Sequence, residues 1–428
     1  MPTEGHLSFL RKEAQETAVA QMRIAMITFA LFMIREIYCK LNSILGNPLR
    51  TERICNSIYF KNQEKTQVSD EDNDLIKQIL HEQQSCHAKA KIKLPGWVEK
   101  GCLFASVPLE QCTSEQVAKA KASLFSGKNL LSLTGGLGID DAAFANSFEN
   151  IISIDTDAGL NAIARFNNKR MKITGIQRWD GAAEDFLAQD NRTWDLIYAD
   201  PDRRSAGNRA AADVYSYTPD IITLHRRYQH IGKTWLIKLS PMTDMSWFEK
   251  QIDCPMRFYI FSFKGEIKEL LAEVSEGISA DKIIISIDDQ GHQRFDMHQH
   301  LETETCNIKI FCELSSAAIK AGYRDFIIQQ TGLQPVSRNG YYLQGNSLIS
   351  TALGRSFELK DTLTGSLGEI DKLLKKMGIG RAHVSARDFV LSADETRKKL
   401  QLADGGKVYL FFTGKDARKT CFVTEKVA

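Results

Sequence analysis

Four stretches of the chain hold residue types from which chemistry could be built. Leu130-Leu-Ser-Leu-Thr-Gly-Gly-Leu-Gly-Ile-Asp-Asp141 leads an apolar run into a glycine-rich turn. Ile151-Ile-Ser-Ile-Asp155 ends a second run in a carboxylate, and Asp180 follows a third. The fourth, Trp194-Asp-Leu-Ile-Tyr-Ala-Asp-Pro-Asp-Arg-Arg204, ends in Asp200-Pro201 with two arginines beyond it. A turn lacking Cβ atoms at Gly135, Gly136 and Gly138 lets the backbone approach a ligand closely. A carboxylate at Asp155 could accept both hydroxyls of a ribose, and one at Asp180 could meet an amino group. Asp200, beside the rigid carbonyl of Pro201, is placed to orient a nucleophile and accept its proton. Arg203 and Arg204 bring forked donors suited to phosphate. Each feature also has a plain structural use, because glycines make turns and acids at strand ends cap the next helix.

The order of these features narrows the ligand. A dinucleotide fingerprint would need glycine at position 141, where the chain has Asp141, and Asp140 and Asp141 put two carboxylates where a pyrophosphate would lie. That favours a cofactor without phosphates, and S-adenosylmethionine fits: a nucleoside beside a cationic sulfonium and an amino group. Thr134, Gly135, Gly136, Gly138, Asp140, Asp155 and Asp180 are the expected cofactor contacts, with Asp200 and Pro201 at the reacting methyl. Arg203, Arg204 and Lys238 are the expected substrate contacts. Methyl transfer is an in-line displacement, so alignment and proton acceptance are what the protein must supply.

Such residues need a sheet to position them. Short apolar runs at Leu130–Leu133, Ile151–Ile154, Ile173–Arg178, Leu196–Ala199 and Trp235–Lys238 alternate with helical stretches such as Ala158–Asn167 and Ile221–Arg227, which predicts an α/β, Rossmann-like, doubly wound parallel sheet. Met256–Phe263 and Ile267–Val274, joined at Lys264-Gly265, should close it with an antiparallel last strand. Lys282–Ile287 and His292–Phe295 read as a further hairpin. The expected domains are a mostly helical N-terminal region over 1–125, the sheet domain over 126–330 and a small α+β domain over 331–428. In the first, Ser69 opens a helix through Leu80, Thr113-Ser-Glu-Gln116 reads as a capping box, and Pro95-Gly96 reads as a turn. In the last, Leu367–Met377 is an amphipathic helix, Ser392-Ala-Asp-Glu395 is a capping box, and Val408–Phe412 with Cys421–Val423 forms a hairpin.

The 428 residues carry 55 Lys+Arg against 53 Asp+Glu, so binding of a polyanion must rely on a local patch. Nine cysteines without a Cys-x-x-Cys pair argue against a zinc site or a secreted disulfide framework and for a reducing cytoplasm. Cys86-His87 reads as a solvated helix end. The apolar segment Ala25–Ile34 is too short to span a bilayer and reads as a buried or partner-facing helix.

The motifs taken together resemble class I S-adenosylmethionine-dependent methyltransferases, within them the bacterial group with a C-terminal THUMP-like domain. The pattern is carried by Lys93-Leu-Pro-Gly-Trp97, Leu109-Glu-Gln-Cys-Thr-Ser-Glu115, Leu133-Thr-Gly-Gly-Leu-Gly-Ile-Asp140, Asp200-Pro-Asp-Arg-Arg204 and Lys238-Leu-Ser-Pro-Met-Thr-Asp244. It continues in Gly265-Glu-Ile-Lys-Glu-Leu270, Ala317-Ala-Ile-Lys-Ala-Gly322 and Asp404-Gly-Gly406, so it spans about residues 90–428. Two departures stand out. Ser132 occupies a position where the family has Asp, and Asp202 and Arg203 replace the second proline and the aromatic ring of related amino-methyltransferases. The resemblance implies a substrate in structured RNA, tRNA or rRNA, because relatives of the THUMP-like domain bind such RNA. Residues 331–428 hold 16 Lys+Arg and 10 Asp+Glu, which agrees in sign. The alternatives are methylation of a protein or small molecule, and a degenerate RNA-binding protein without catalysis.

Overall fold

The computed structural model describes residues 70–201, 218–301, 303–414 and 419–427. The apolar segment Ala25–Ile34, Ser69, Arg203 and Arg204 lie outside them. Among the described residues no helix is long and apolar enough to cross a membrane. Two compact units emerge, one comprising the described residues to 201 together with 218–234, the other beginning at Trp235.

The first unit opens with helices α1 (Asp70–Lys93), α2 (Pro95–Glu99), α3 (Ser106–Gln111) and α4 (Glu115–Ala122). Pro95 does not turn the chain but starts α2, where its missing N–H costs nothing. Cys86 is buried within α1, not at a solvated end, and burial pushes its thiol up to about 11. The Thr113–Gln116 box does not form either. Ser114 is the N-cap without a side-chain bond, the Thr113 hydroxyl donates to Asp140, and Glu115 accepts from the Gly96 N–H.

Then β1 (Gly127–Ser132), α5 (Ile139–Phe144), β2 (Phe148–Asp155), α6 (Ala158–Met171), β3 (Ile176–Asp180), α7 (Ala183–Leu187) and β4 (Trp194–Ala199) alternate. The strands lie in the order β3-β2-β1-β4, parallel throughout. β1 is therefore the point where the winding reverses, and the crevice outside the carboxyl ends of β1 and β4 is the natural ligand position. Leu130, Leu131, Ile154 and Ile197 are fully buried along this sheet. β3 starts later than expected, at Ile176, because residues 172–175 turn through left-handed Lys172 and Gly175. Helix α8 (Ile221–Tyr228) follows, capped by Asp220.

β5 (Gly232–Leu239) enters the second unit at Trp235, and after α9 (Met245–Glu249) come β6 (Met256–Phe263), β7 (Glu266–Val274), β8 (Lys282–Asp288) and β9 (Gly291–Phe295), the strands lying in the order β5-β7-β6-β8-β9. β7 inserts between β5 and β6, antiparallel to both, as the expected hairpin requires. The second hairpin is not separate: β8 joins β6 in parallel and extends the same sheet.

β10 (Thr305–Leu314), α10 (Ser316–Ala321), α11 (Arg324–Thr331), β11 (Gln334–Pro335), β12 (Tyr342–Ser347), β13 (Gly354–Gly365), α12 (Leu367–Lys376), β14 (His383–Phe389), α13 (Ala393–Lys399), β15 (Val408–Gly414) and β16 (Lys419–Lys426) complete the chain. Their seven strands run β11-β12-β10-β13-β16-β15-β14. This sheet takes in β10, upstream of the expected boundary at residue 331; nothing in the apolar run Ile310–Leu314 marks which sheet it joins. The capping box at Ser392 closes as expected, and a second one, not anticipated, closes at Ser366. One face packs Leu363, Ile370, Leu374, Leu410, Phe412 and Val423 under the helices. The other gathers Phe311, Tyr342, Phe357, Phe411 and Phe422. Phe311 of β10 lies 4.7 Å, ring to ring, from Phe411 of β15. The Ser385 hydroxyl of β14 donates to Glu313 of β10 at 2.7 Å, although three strands separate β10 and β14 in the order. At about 4.8 Å per strand a flat sheet could not make that bond, so this sheet curls until its edge strand β14 reaches the interior strand β10.

Candidate cofactor and methyl-transfer site

The glycine loop is anchored from beneath by a buried arginine that sequence reasoning passed over. Arg178 is the one buried residue of β3. Its Nε donates to Asn161 Oδ1 at 2.7 Å, Nη1 to Ser153 Oγ at 2.8 Å and Asp141 Oδ2 at 3.0 Å, and Nη2 to the Gly136 carbonyl at 2.7 Å. Ser153 also donates to Asp141. The loop, β2, β3, α5 and α6 are thus tied through one side chain. Burial pushes the Asp141 carboxyl up and the Arg178 guanidinium down, each against the opposing pull of its partner.

Asp140 is engaged in a second network. Its Oδ1 lies 2.9 Å from the Nζ of fully buried Lys121, and its Oδ2 accepts from Tyr198 at 2.9 Å and Thr113 at 3.0 Å. The expectation that Asp140 and Asp141 repel a pyrophosphate is therefore corrected: both are neutralised inside the protein. Asp140 reaches the loop as a brace between α4, α5 and β4, and its expected cofactor contact is not what its partners suggest.

The glycines divide by role. A Cβ on Gly135 would lie 2.4 Å from Ser153 Oγ and 2.5 Å from Arg178 Nη1, so glycine is demanded there by the protein's own network. Gly135→Ala should lower stability by about 1–3 kcal/mol in urea denaturation, the usual cost of overpacking a core. Gly136 has φ of 50° and nothing within 4 Å of where its Cβ would stand, which leaves that side of the loop open to a ligand. Gly138, with φ of 79°, caps α5.

Asp155 sits at the end of β2 beside this opening. Its Oδ2 accepts from the Gly136 N–H at 2.7 Å and its Oδ1 from the Asp157 N–H at 2.8 Å, leaving acceptor capacity on both oxygens. Burial pushes the Asp155 carboxyl up above the usual carboxylate range, partly countered by these two N–H groups and Arg178. Asp180, half-exposed at the end of β3, pairs with Arg165 at 3.0 Å. At the end of β4 the Asp200 N–H donates to Thr134 Oγ1 at 2.6 Å, and Pro201 is buried. The two loops of the crevice are joined directly.

Lys238 departs from expectation. It is 7% exposed on β5 with its Nζ 3.3 Å from Glu269 Oε1 on β7, so its charge is held within the protein and not offered to a phosphate.

Residues 354–426 match the family described as THUMP domain-like. Over 336 residues, 76% of this chain and 88% of the relative, the sequence is 26% identical to an uncharacterised S-adenosylmethionine-dependent methyltransferase of Mycobacterium tuberculosis. The crystal structure of a candidate methyltransferase from Porphyromonas gingivalis W83 superimposes with a TM-score of 0.74 and 24% identity, covering 88% of this chain and 98% of that one. The C-terminal module thus matches the THUMP domain-like family, the sequence is similar to an S-adenosylmethionine-dependent methyltransferase over most of its length, and the fold is that of a class I methyltransferase.

Proposed function

We propose that the protein transfers the methyl group of S-adenosylmethionine to a nucleotide of structured RNA, tRNA or rRNA. The observation that carries this reading is the hydrogen bond from Asp200 to Thr134, which couples the loop that would hold the cofactor to the carboxylate that would act on the nucleophile. The open side of Gly136 and the spare acceptor capacity of Asp155 fit an adenosine ribose. When bound, S-adenosylmethionine supplies an electrophilic methyl on a sulfonium. Thr134 fixes the backbone of Asp200, and the Asp200 carboxylate accepts hydrogen bonds from the incoming amine or hydroxyl and takes its proton. Asp180 is proposed at the adenine amino group, and Arg203 and Arg204 at substrate phosphates. RNA is favoured as the substrate because relatives of the THUMP-like module bind it and because residues 331–428 are basic. We assign the helical region to 1–125, the methyltransferase domain to 126–330 and the THUMP-like module to 331–428, with β10 completing its sheet, in a cytoplasmic protein.

Nucleosides of RNA from a cell lacking the gene, compared by mass spectrometry before and after incubation with protein and S-adenosylmethionine, test the reading. A methylated nucleoside restored by the protein is expected; no change in tRNA or rRNA rejects RNA as the substrate. In calorimetry, Asp155→Ala should weaken binding of S-adenosylmethionine by about 1–3 kcal/mol as the ribose loses a charged acceptor and the Gly136 peptide its tether. Unchanged affinity would remove Asp155 from the site.

A further inference from the structure

Where β14 reaches β10, two guanidinium groups share one buried carboxylate. The Glu313 side chain is 4% exposed, while those of Arg355 and Arg387 are 58% and 29% exposed. Glu313 Oε2 accepts from Arg355 through Nε at 3.1 Å and through Nη2, and Oε1 accepts from Arg387 Nε at 3.1 Å and Ser385 Oγ at 2.7 Å. Burial pushes the Glu313 carboxyl up, but Arg355, Ser385 and Arg387 outweigh it and hold the group below its usual range. The anchor is thus ionised at neutral pH, and one of the two positive charges is left over. Arg355 Nη1 and both terminal nitrogens of Arg387 make no hydrogen bond among the described residues. The guanidinium planes are further fixed by rings, Arg355 5.5 Å from the Phe357 centroid and Arg387 5.9 Å from that of Tyr341.

We propose that Arg355 and Arg387, braced on Glu313, clamp a backbone phosphate of the RNA substrate. This rests on the RNA reading above. A braced guanidinium loses little rotamer freedom on binding, and its outward N–H pair matches two phosphate oxygens. The position suits a nucleic-acid strand, because the donors are solvent-accessible side chains of β13 and the edge strand β14, 58% and 29% exposed, within residues 331–428 that carry 16 Lys+Arg against 10 Asp+Glu.

End-labelled, fragmented total cellular RNA, followed by fluorescence anisotropy, supplies the probe. The double variant Arg355→Lys with Arg387→Lys keeps the charge and loses the fork; affinity should fall about tenfold, with S-adenosylmethionine binding unchanged. Glu313→Gln makes this surface more positive yet frees both arginines. The clamp predicts weaker binding there, whereas attraction by charge alone predicts tighter binding. If Glu313→Gln fails to fold, the lysine pair decides. Wild-type affinity in the lysine pair, or tighter binding in folded Glu313→Gln, overturns the clamp and leaves the RNA reading standing. No binding of RNA by the unaltered protein overturns both.

Discussion

Arg178→Ala should cost the protein about 3–5 kcal/mol of stability, measured by denaturant unfolding, and the remaining folded fraction should bind S-adenosylmethionine markedly less tightly. Removing the guanidinium leaves Asp141, whose side chain is 2% exposed, without its charged partner and releases the Gly136 carbonyl. The loss depends on pH in a definite direction. With Arg178 gone, the Asp141 carboxyl, already raised by burial, rises further, so the folded form holds a proton that the unfolded chain releases. Stability then falls as pH rises from the unfolded carboxyl value through the folded one, and the deficit should be smaller at about pH 5 than at about pH 8. A deficit independent of pH would mean that Asp141 finds another cation. Arg178→Lys should recover part of the stability through one charge, but not the bond to Gly136.

Asp200→Asn should reduce turnover by about 10²–10⁴-fold while cofactor affinity stays nearly constant. The substitution keeps the shape and the backbone bond to Thr134 but removes the basicity. Near-normal turnover would reduce the Asp200-Pro201 turn to architecture. Because the backbone and not the carboxylate bonds Thr134, a second comparison is available. Thr134→Val should disturb the position of Asp200 and lower turnover with its charge intact, by a smaller factor.

The alternation of apolar runs and helices marked β1, β2, β4 and β5, and the Lys264-Gly265 turn marked the β6–β7 pair, because these features are local in the chain. The capping box at Ser392 was legible for the same reason. The site was legible only in outline. Gly136 and Asp155 hold the places expected, yet Asp140 and Lys238 proved to be committed to partners 19 and 31 residues away in sequence, Lys121 and Glu269. A lone acid in a sequence does not say whether it faces a ligand or a buried cation. One sign was available: β3 reads Ile176-Gln-Arg-Trp-Asp180, with a charged residue central in a strand of an enclosed sheet, and such a charge needs a partner. Thr113 shows the reverse error, since its capping pattern was sound but Asp140 took its hydroxyl.

The order of the C-terminal sheet bears on how it is made. β16, the final strand in the chain, is not at a margin but in the middle, paired with β13 on one side and β15 on the other. In the order of synthesis the partners β10, β12 and β13, and the partners β14 and β15, are all made before β16. The ladder that unites them is made only by residues 419–426, which pair with β13 and with β15. The strand synthesised last of this sheet is therefore the one that covers two edges at once, and without it the edges of β13 and β15 would stand open to strands of other chains.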